Sequence, residues 1–163
     1  MQWSKIRTRL RASVCPELRK RVDFQLTNYR EYGAKGHEVW ITVDGERVFS
    51  ASYCDYMISE NVLSRNRGLR TYAEGQEGKI AHDVLTRAEI HDASITVYTF
   101  REYLDSNPHD LLASTDPVLK SLAIIDRRVG RRALASLSIR KNEHSLVRTF
   151  YDLRLNDSES SSS

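Results

Sequence analysis

The sequence predicts an α+β domain with an N-terminal helix, a small antiparallel sheet with an Asp-Gly hairpin, and then a C-terminal helical bundle. Three observations carry this prediction. The first residues repeat apolar side chains at helical steps, residues 38–53 have the pattern of a β-hairpin, and helical spacing returns after residue 79. The length of 163 residues suits one domain. We predict a single domain over residues 1–155 and a disordered serine-rich tail over residues 156–163.

The first predicted element is an amphipathic helix over residues 2–13, which Pro16 ends. Its apolar positions follow one another at steps of three and four residues: Trp3, Ile6, Leu10 and Val14. Residues 22–29 then alternate apolar and polar side chains, which predicts a half-buried strand. Gly33 and Gly36 predict a loop after that strand.

The hairpin is predicted from Asp44-Gly45, which lies between two β-rich runs. A two-residue type I′ turn needs positive φ at both central residues, and Asp-Gly tolerates this well. A regular hairpin then places Val43 opposite Glu46, Thr42 opposite Arg47, Ile41 opposite Val48 and Trp40 opposite Phe49. The Trp40–Phe49 pair is expected to add about 0.5–1 kcal/mol beyond simple burial.

The remaining sequence predicts helices joined by polar loops. Thr99 and Glu102 have capping-box spacing, and the pairs Asn107-Pro108 and Asp116-Pro117 each place a capping residue before a first-turn proline. The predicted helices cover residues 54–63, 79–90, Thr99 to about Leu104, a short segment from Pro108, 117–129, 131–138 and 143–155. Residues 64–78 are polar, contain three glycines and predict a mobile loop.

Charge is unevenly distributed although the net charge is only +3. Residues 1–30 hold eight Lys/Arg against two Asp/Glu, residues 31–117 hold eight against fifteen, and residues 118–155 hold nine against three. The basic ends either neutralise the acidic middle or form one basic face for an anionic partner. We favour neutralisation, because a nucleic-acid-binding protein usually has a larger basic excess.

Several functional classes find no support in the sequence. No apolar run reaches the roughly 20 residues of a membrane helix, and the charged N-terminus lacks the apolar core of a signal peptide. Cys15 and Cys54 stand alone, as expected of a reduced cytoplasmic protein. GxSxG, GxGxxG and P-loop patterns are absent from the sequence, and we expect no cofactor.

The stretch DRRVGRRAL, residues 126–134, has two interpretations. In the first, Gly130 adopts the left-handed conformation that ends the 117–129 helix, and Arg127 and Arg128 lie in its last turn, where cations suit the helix dipole. Asp126 then holds one arginine in place. In the second, the arginines bind phosphate or carboxylate. The candidate residues for binding an anion or a partner are Arg7, Arg11, Arg127, Arg128, Arg131 and Arg132.

Four segments, MQWSKIRTRL, WITVDGE, LAIIDRRVGRRAL and FYDLRL, carry a resemblance over most of residues 1–155. Together they resemble a family of small bacterial proteins of unknown function with a Trp-containing N-terminal helix and a DRRVG-basic run. The resemblance implies a bacterial origin and a single domain, and it implies no mechanism. Ala133 stands where the pattern favours a basic residue, which weakens the idea of a basic clamp.

Three of the five histidines precede aspartate: His82-Asp83, His91-Asp92 and His109-Asp110. These pairs are similar to those of the HD metal phosphohydrolases, and the candidate ligands are then His82, His91, Asp92 and Asp126. Ordinary structural roles explain them better, because an acid in a first helical turn complements the dipole and His82 adjoins an apolar stripe. We expect no metal site.

Binding is therefore the favoured activity, and we interpret the chain as a non-enzymatic protein-binding or accessory module. The alternative is binding of a nucleic-acid backbone by one basic face that also includes Arg19, Lys20 and Arg21. Tyr29, Tyr32 and Tyr72 then stack on bases. The order of elements also resembles the double-stranded RNA-binding domain, but Asp55 and Glu60 in the corresponding helix do not suit phosphate. The acidic middle favours a protein partner.

Overall fold

The computed structural model describes residues 2–31, 34–66 and 84–160, and it confirms the predicted α+β class. A helix is followed by a three-stranded antiparallel sheet of order β1-β2-β3 and then by helices. The named elements are α1 (Trp3–Ser13), β1 (Val22–Glu31), β2 (Ala34–Val43), β3 (Glu46–Ser52), α2 (Tyr53–Asn66), α3 (Ala93–Asp105), α4 (Pro108–Leu111), α5 (Pro117–Ile125), α6 (Arg131–Ala135) and α7 (Ser145–Ser160).

The first hairpin is longer than predicted. β1 and β2 pair from Val22↔Val43 to Glu31↔Ala34, so Gly36 lies inside β2 opposite Tyr29. The prediction of a loop at Gly36 is wrong, because continuous pairing with β1 outweighs the low strand propensity of glycine. Gly33 lies outside the described residues.

The Asp-Gly turn is confirmed, but the register beyond it is not the predicted one. Asp44 and Gly45 have φ of 52° and 86°, as a type I′ turn requires. Val43↔Glu46 and Thr42↔Arg47 pair as predicted, and an irregularity then brings Ile41 opposite Phe49 and Trp40 opposite Ser50.

The hydrophobic pattern explains this β-bulge. A regular register would put Phe49 on the opposite face of the sheet from Ile41, whereas an extra residue at Val48 places both side chains in the core. The predicted Trp40–Phe49 pair is therefore wrong. Trp40 instead lies under the Arg47 guanidinium, 4.2 Å from the ring centroid.

The core lies between the sheet and the later helices. Phe100 of α3 contacts Phe24 of β1 edge to face, with centroids 5.8 Å apart, and Trp3 of α1, with centroids 6.2 Å apart. α5 is the most buried helix, since every residue from Val118 to Ile125 except Lys120 is buried. It packs on α7 through the most extensive contact between helices. The C-terminal end of α5 lies beside the residues that follow α1, because Asp126 pairs with Val14.

Side-chain caps begin several of the described helices. Asn107 and Asp116 cap α4 and α5 as predicted, each followed by proline. The capping box at Thr99 is wrong, because α3 begins two turns earlier. There Asp92 Oδ1 accepts a hydrogen bond of 2.8 Å from Ile95 N. Thr99 lies inside the helix and donates to the Ile95 carbonyl oxygen.

Other helix boundaries differ by several residues from the prediction. α2 extends over residues 53–66, so residues 64–66 are helical and not part of the predicted loop, whose remainder lies outside the described residues. Of the predicted helix 79–90, residues 84–87 are helical and residues 79–83 lie outside the described residues. α7 extends to Ser160, into the segment predicted as a tail. Within the described ranges, none of the helices combines the length and apolar character that crossing a bilayer requires.

Candidate arginine cleft

The backbone of DRRVG is held by the end of α1. α5 ends at Ile125, and Asp126 is extended because it forms an isolated β-bridge with Val14. Cys15 N donates to the Ile125 carbonyl oxygen and Arg127 N to that of Ser13, both at 2.8 Å. The prediction that Arg127 and Arg128 lie in a last helical turn is therefore wrong. Pairing with a segment more than 100 residues away ends α5.

Gly130 does not have the predicted left-handed conformation. Its φ of −83° and ψ of 165° are extended, and it precedes the short helix α6, which Arg131 and Arg132 begin as predicted. The helix-ending role that we assigned to Gly130 is wrong, because α5 has already ended four residues before Val129. The bend therefore results from the β-bridge and needs no special backbone freedom.

The two described turn glycines should respond differently to alanine. Gly45→Ala is expected to lower the free energy of unfolding by about 1 kcal/mol, because φ is +86° there. The loss comes from backbone strain and not from a clash, since the added methyl group meets no atom within 4 Å. Gly130→Ala, at an extended position with equally open space, should change it by less than about 0.5 kcal/mol. Urea unfolding of both variants checks this. Equal losses would contradict the assigned conformations.

Asp126 holds Arg128, as the first interpretation of the stretch predicted. Asp126 is fully buried, and its carboxylate accepts from Arg128 Nε at 3.0 Å, from Arg128 Nη2 at 2.7 Å and from Tyr103 Oη at 2.5 Å. Burial raises the pKa of Asp126, but the bonds from Arg128 and Tyr103 outweigh it and hold that pKa below its usual value. Arg128 is thus part of a structural cluster.

Two other candidates, Arg7 and Arg11 of α1, face Asp23 of β1. Arg7 Nη2 lies 2.6 Å from Asp23 Oδ2, and Arg11 Nε lies 3.7 Å from Asp23 Oδ1. Burial raises the pKa of Asp23, and the opposing bonds from Arg7 and from Phe24 N lower it further than burial raises it. Asp23 therefore binds Arg7 closely and offsets part of the combined positive charge of the two arginines.

Arg127 and Arg131 lie differently. Together with Arg154 of α7 they line a cleft of about 180 Å³, whose other walls are Cys15, Glu17, Leu18, Val129 and Gly130. Arg127 and Arg131 are exposed and form no salt bridge in the part of the chain that the structure describes. We call this feature the arginine cleft. Arg132, also exposed, does not line it.

Arg154 is the cleft residue that the sequence did not suggest. Its side chain is only 13% exposed, donates to the Val129 carbonyl oxygen at 2.9 Å, and lies 3.3 Å from Glu17 Oε2. The helical spacing of residues 143–155 indicated an apolar stripe, and it held no sign that Arg154 would face the DRRVG segment. The contact joins the two basic ends of the chain, because Glu17 belongs to one and Arg154 to the other.

Two further residues that line the cleft, Cys15 and Glu17, provide no reactive nucleophile. Cys15 is 1% exposed, and burial raises the pKa of its thiol, so the reactive thiolate is disfavoured. Hydrogen bonds from its own backbone and from Cys15 lower the pKa of Glu17, as does the charge of Arg131. Three guanidinium groups and one carboxylate thus line the cleft, and because Arg154 is paired with Glu17, Arg127 and Arg131 are the groups suited to binding an anionic group.

Comparison with known proteins adds one decisive observation. The model of the SF0329 protein family matches residues 2–155. The chain belongs to the SF0329 protein family. The function of this family is not established. The match covers both the arginine cleft and the sheet, and it confirms that the resemblance extends over most of the chain. No curated protein and no solved structure matches this SF0329 family member.

The histidine candidates of this SF0329 family member have separate structural partners. Asp92 caps α3, Asp126 binds Arg128, and His91 Nε2 lies 2.8 Å from His144 Nε2. Among the described residues, no three His, Cys, Asp or Glu side chains form a group that could hold a metal ion. His82, the remaining proposed ligand, lies outside the described residues.

The proposed base-stacking tyrosines lie mostly beyond what the structure describes. Tyr32 and Tyr72 are outside the described residues, and Tyr29 lies in β1, paired with Gly36 of β2. Of the other basic candidates for a nucleic-acid face, Arg21 binds Asp44 with Nη2 2.8 Å from Oδ2, and Arg19 donates to the Val14 carbonyl oxygen at 3.4 Å. Carboxylates of the fold therefore interrupt this surface.

Proposed function

We propose that this SF0329 family member is a non-enzymatic protein-binding module that receives an anionic group of its partner protein in the arginine cleft. One observation carries the proposal. Of the candidate arginines, Arg7, Arg11 and Arg128 lie against carboxylates of the fold. Arg127 and Arg131, which form no salt bridge with the described residues, line a cleft whose third arginine, Arg154, is paired with Glu17. Guanidinium groups bind carboxylates through paired hydrogen bonds, and exposed arginines are enriched at protein interfaces.

The size of the cleft supports a side-chain-sized ligand. Its volume of about 180 Å³ is smaller than the roughly 300–1,000 Å³ of typical small-molecule sites. A carboxylate presented on an acidic segment of a partner fits such a cleft. The raised pKa and burial of Cys15 argue against nucleophilic chemistry at its floor.

The arrangement of charge favours a protein over a nucleic-acid backbone. A nucleic acid is bound by a continuous track of cations that each neutralise a phosphate. Such a track is interrupted in this fold, because Glu17 lies in the arginine cleft itself. Asp23 lies against Arg7 and Arg11, and Asp44 lies against Arg21, so part of their positive charge is offset. An acidic protein surface, which needs only one or two deep contacts, tolerates these interruptions.

The double change Arg127→Ala/Arg131→Ala is expected to weaken partner binding at least about tenfold, since each charge-assisted bond contributes about 1.5–3 kcal/mol. The measurement is affinity capture from a nuclease-treated bacterial lysate at low and high salt, followed by titration of the captured protein. Lys5→Ala/Lys141→Ala removes two exposed cations away from the cleft and is the matched control.

Three results are distinguishable. A protein retained by the wild type and the control, and lost by the cleft variant and at high salt, supports the proposal. Retention by the cleft variant places the partner elsewhere and overturns it. Binding of single-stranded oligonucleotides that decreases steeply with salt, with no retained protein after nuclease treatment, favours the nucleic-acid alternative.

A further inference from the structure

A pair of histidines near the N-terminal end of α5 joins the segment before α3, the segment before α7 and strand β3. His91 precedes α3, His144 precedes α7, and their Nε2 atoms lie 2.8 Å apart. Both rings pack on Phe49 of β3, with centroids 4.8 Å away for His91 and 6.4 Å away for His144. We call His91, His144 and Phe49 the histidine latch.

The hydrogen bonds of His144 assign the protonation of the pair. Leu146 N donates to His144 Nδ1 at 3.1 Å, so Nδ1 carries no proton and His144 acts as the cap of α7. The neutral ring then carries its proton on Nε2 and donates it to His91 Nε2. His91 Nε2 must therefore be unprotonated, and both rings are neutral when the latch is closed.

We propose that the histidine latch is an acid-sensitive switch, closed when both rings are neutral and opened when either binds a proton. A proton on His91 Nε2 removes the acceptor and sets two N–H groups against each other. A proton on His144 Nδ1 removes the acceptor of Leu146 N. The first event breaks the bond between His91 and His144, and the second releases the first turn of α7, which also holds the bonds of Ser145 to Glu89. This inference is independent of the proposed function of the arginine cleft.

Glu89 forms a second contact at the junction between residues 88–92 and the first turn of α7. Glu89 Oε1 accepts from Ser145 N at 2.7 Å, and Glu89 Oε2 accepts from Ser145 Oγ at 2.5 Å. Glu89 has a φ of 60°, unfavourable for a residue other than glycine, so this segment is held in a strained conformation by its contacts with α7. When the latch opens, the amides of Ser145 and Leu146 lose protection.

Charged groups around the pair come from every packed element. Acidic groups near His144 favour its protonated form and Arg148 opposes it, but burial has the largest effect and lowers the pKa of His144 below its usual 6.5. The latch is therefore closed above about pH 6.5 and opens as the pH falls through the lowered value. The surrounding groups are Glu89, Asp92, Asp116, Lys120, Glu143, Arg47, Arg87, Arg140 and Arg148.

Hydrogen exchange of the full chain at about pH 7.5 and about pH 5.5, corrected for intrinsic rates, tests the switch. Between about pH 6.5, the usual value of a histidine, and the lowered pKa of His144, opening coupled to one proton becomes about tenfold more frequent per pH unit. We expect this loss of protection in peptides covering residues 84–92 and 144–150, and unchanged protection in α1 and β1. Unchanged exchange at the junction, or an equal loss everywhere, overturns the proposal.

Two variants separate a switch from a merely structural contact. His144→Asn keeps a cap for Leu146 N but removes the ring that pairs with His91, so exchange at the junction should lose most of its dependence on pH. His109→Gln, which removes a histidine elsewhere, should keep the wild-type dependence. Nitrogen-15 NMR of the imidazole rings provides a readout without substitution. A protonated ring or an Nδ1–H tautomer of His144 at about pH 7.5 would overturn the assignment.

Discussion

Asp126→Ala is expected to lower the free energy of unfolding by about 2–4 kcal/mol, the largest loss we expect for a charged residue of this chain, because buried bonds to a carboxylate are lost while the half-exposed Arg128 stays solvated. The carboxylate is fully buried and accepts from the Arg128 guanidinium, the Arg128 backbone N and Tyr103 Oη. Alanine leaves the buried Tyr103 hydroxyl without its acceptor, and it removes the carboxylate that positions DRRVG.

Urea unfolding at neutral pH measures this loss, and Asp126→Asn is the informative comparison. Asparagine keeps the size and an acceptor oxygen but loses the charge, so its loss should be intermediate. A loss below about 1 kcal/mol for Asp126→Ala would contradict the role of the cluster. The lowered pKa of Asp126 also determines how its contribution to the free energy of unfolding depends on pH. Its contribution is present above the unfolded value near 3.9 and is lost as the pH falls through the folded value.

Phe100→Ala is expected to cost about 3–5 kcal/mol of unfolding free energy, because it removes the side chain at the centre of the core. Phe100 is 0% exposed and packs on Phe24 and Trp3, so it joins α3 to both β1 and α1. The cavity left behind is bordered by two large rings whose positions are set by other elements. These rings can collapse into it only partly.

The control for Phe100→Ala lies on the same helix. Tyr98 is 70% exposed, and Tyr98→Ala should change the unfolding free energy by less than about 0.5 kcal/mol. Circular dichroism during urea unfolding measures both variants in one experiment. Similar losses for the two would show that the cost comes from helix propensity in α3 and not from the core.

Several features that depend on a few neighbouring residues were predicted correctly. Asp44-Gly45 forms its turn because both residues tolerate positive φ, and the Asn107-Pro108 and Asp116-Pro117 pairs begin helices because a cap and a proline suffice locally. The apolar stripe of α1 is likewise buried at Ile6 and Leu10. The α+β class follows from the order of such local signals along the chain, which is a helix, then a hairpin, then further helices.

Features that depend on distant contacts were missed. The bulge at Val48 arises because Phe49 must enter the same core as Ile41, which a count of residues from the turn does not reveal. α3 begins at Asp92 and not at Thr99, because the buried face of α3 includes Ala93 and Thr96. In each case burial against another element outweighed a good local pattern.

The sequence alone determined the fold class, the Asp-Gly turn, two capped helix starts, the match to the SF0329 protein family and the concentration of arginine in residues 127–132. Only the tertiary structure decided which arginines are available. Pairing of Asp126 with Val14 ends α5, and the buried Asp126 takes up Arg128. Arg154 joins Arg127 and Arg131 because α7 packs on α5. The physical reason is distance along the chain, since turns and caps are decided within a few residues, whereas an ion pair or a cleft depends on which surfaces the core brings together.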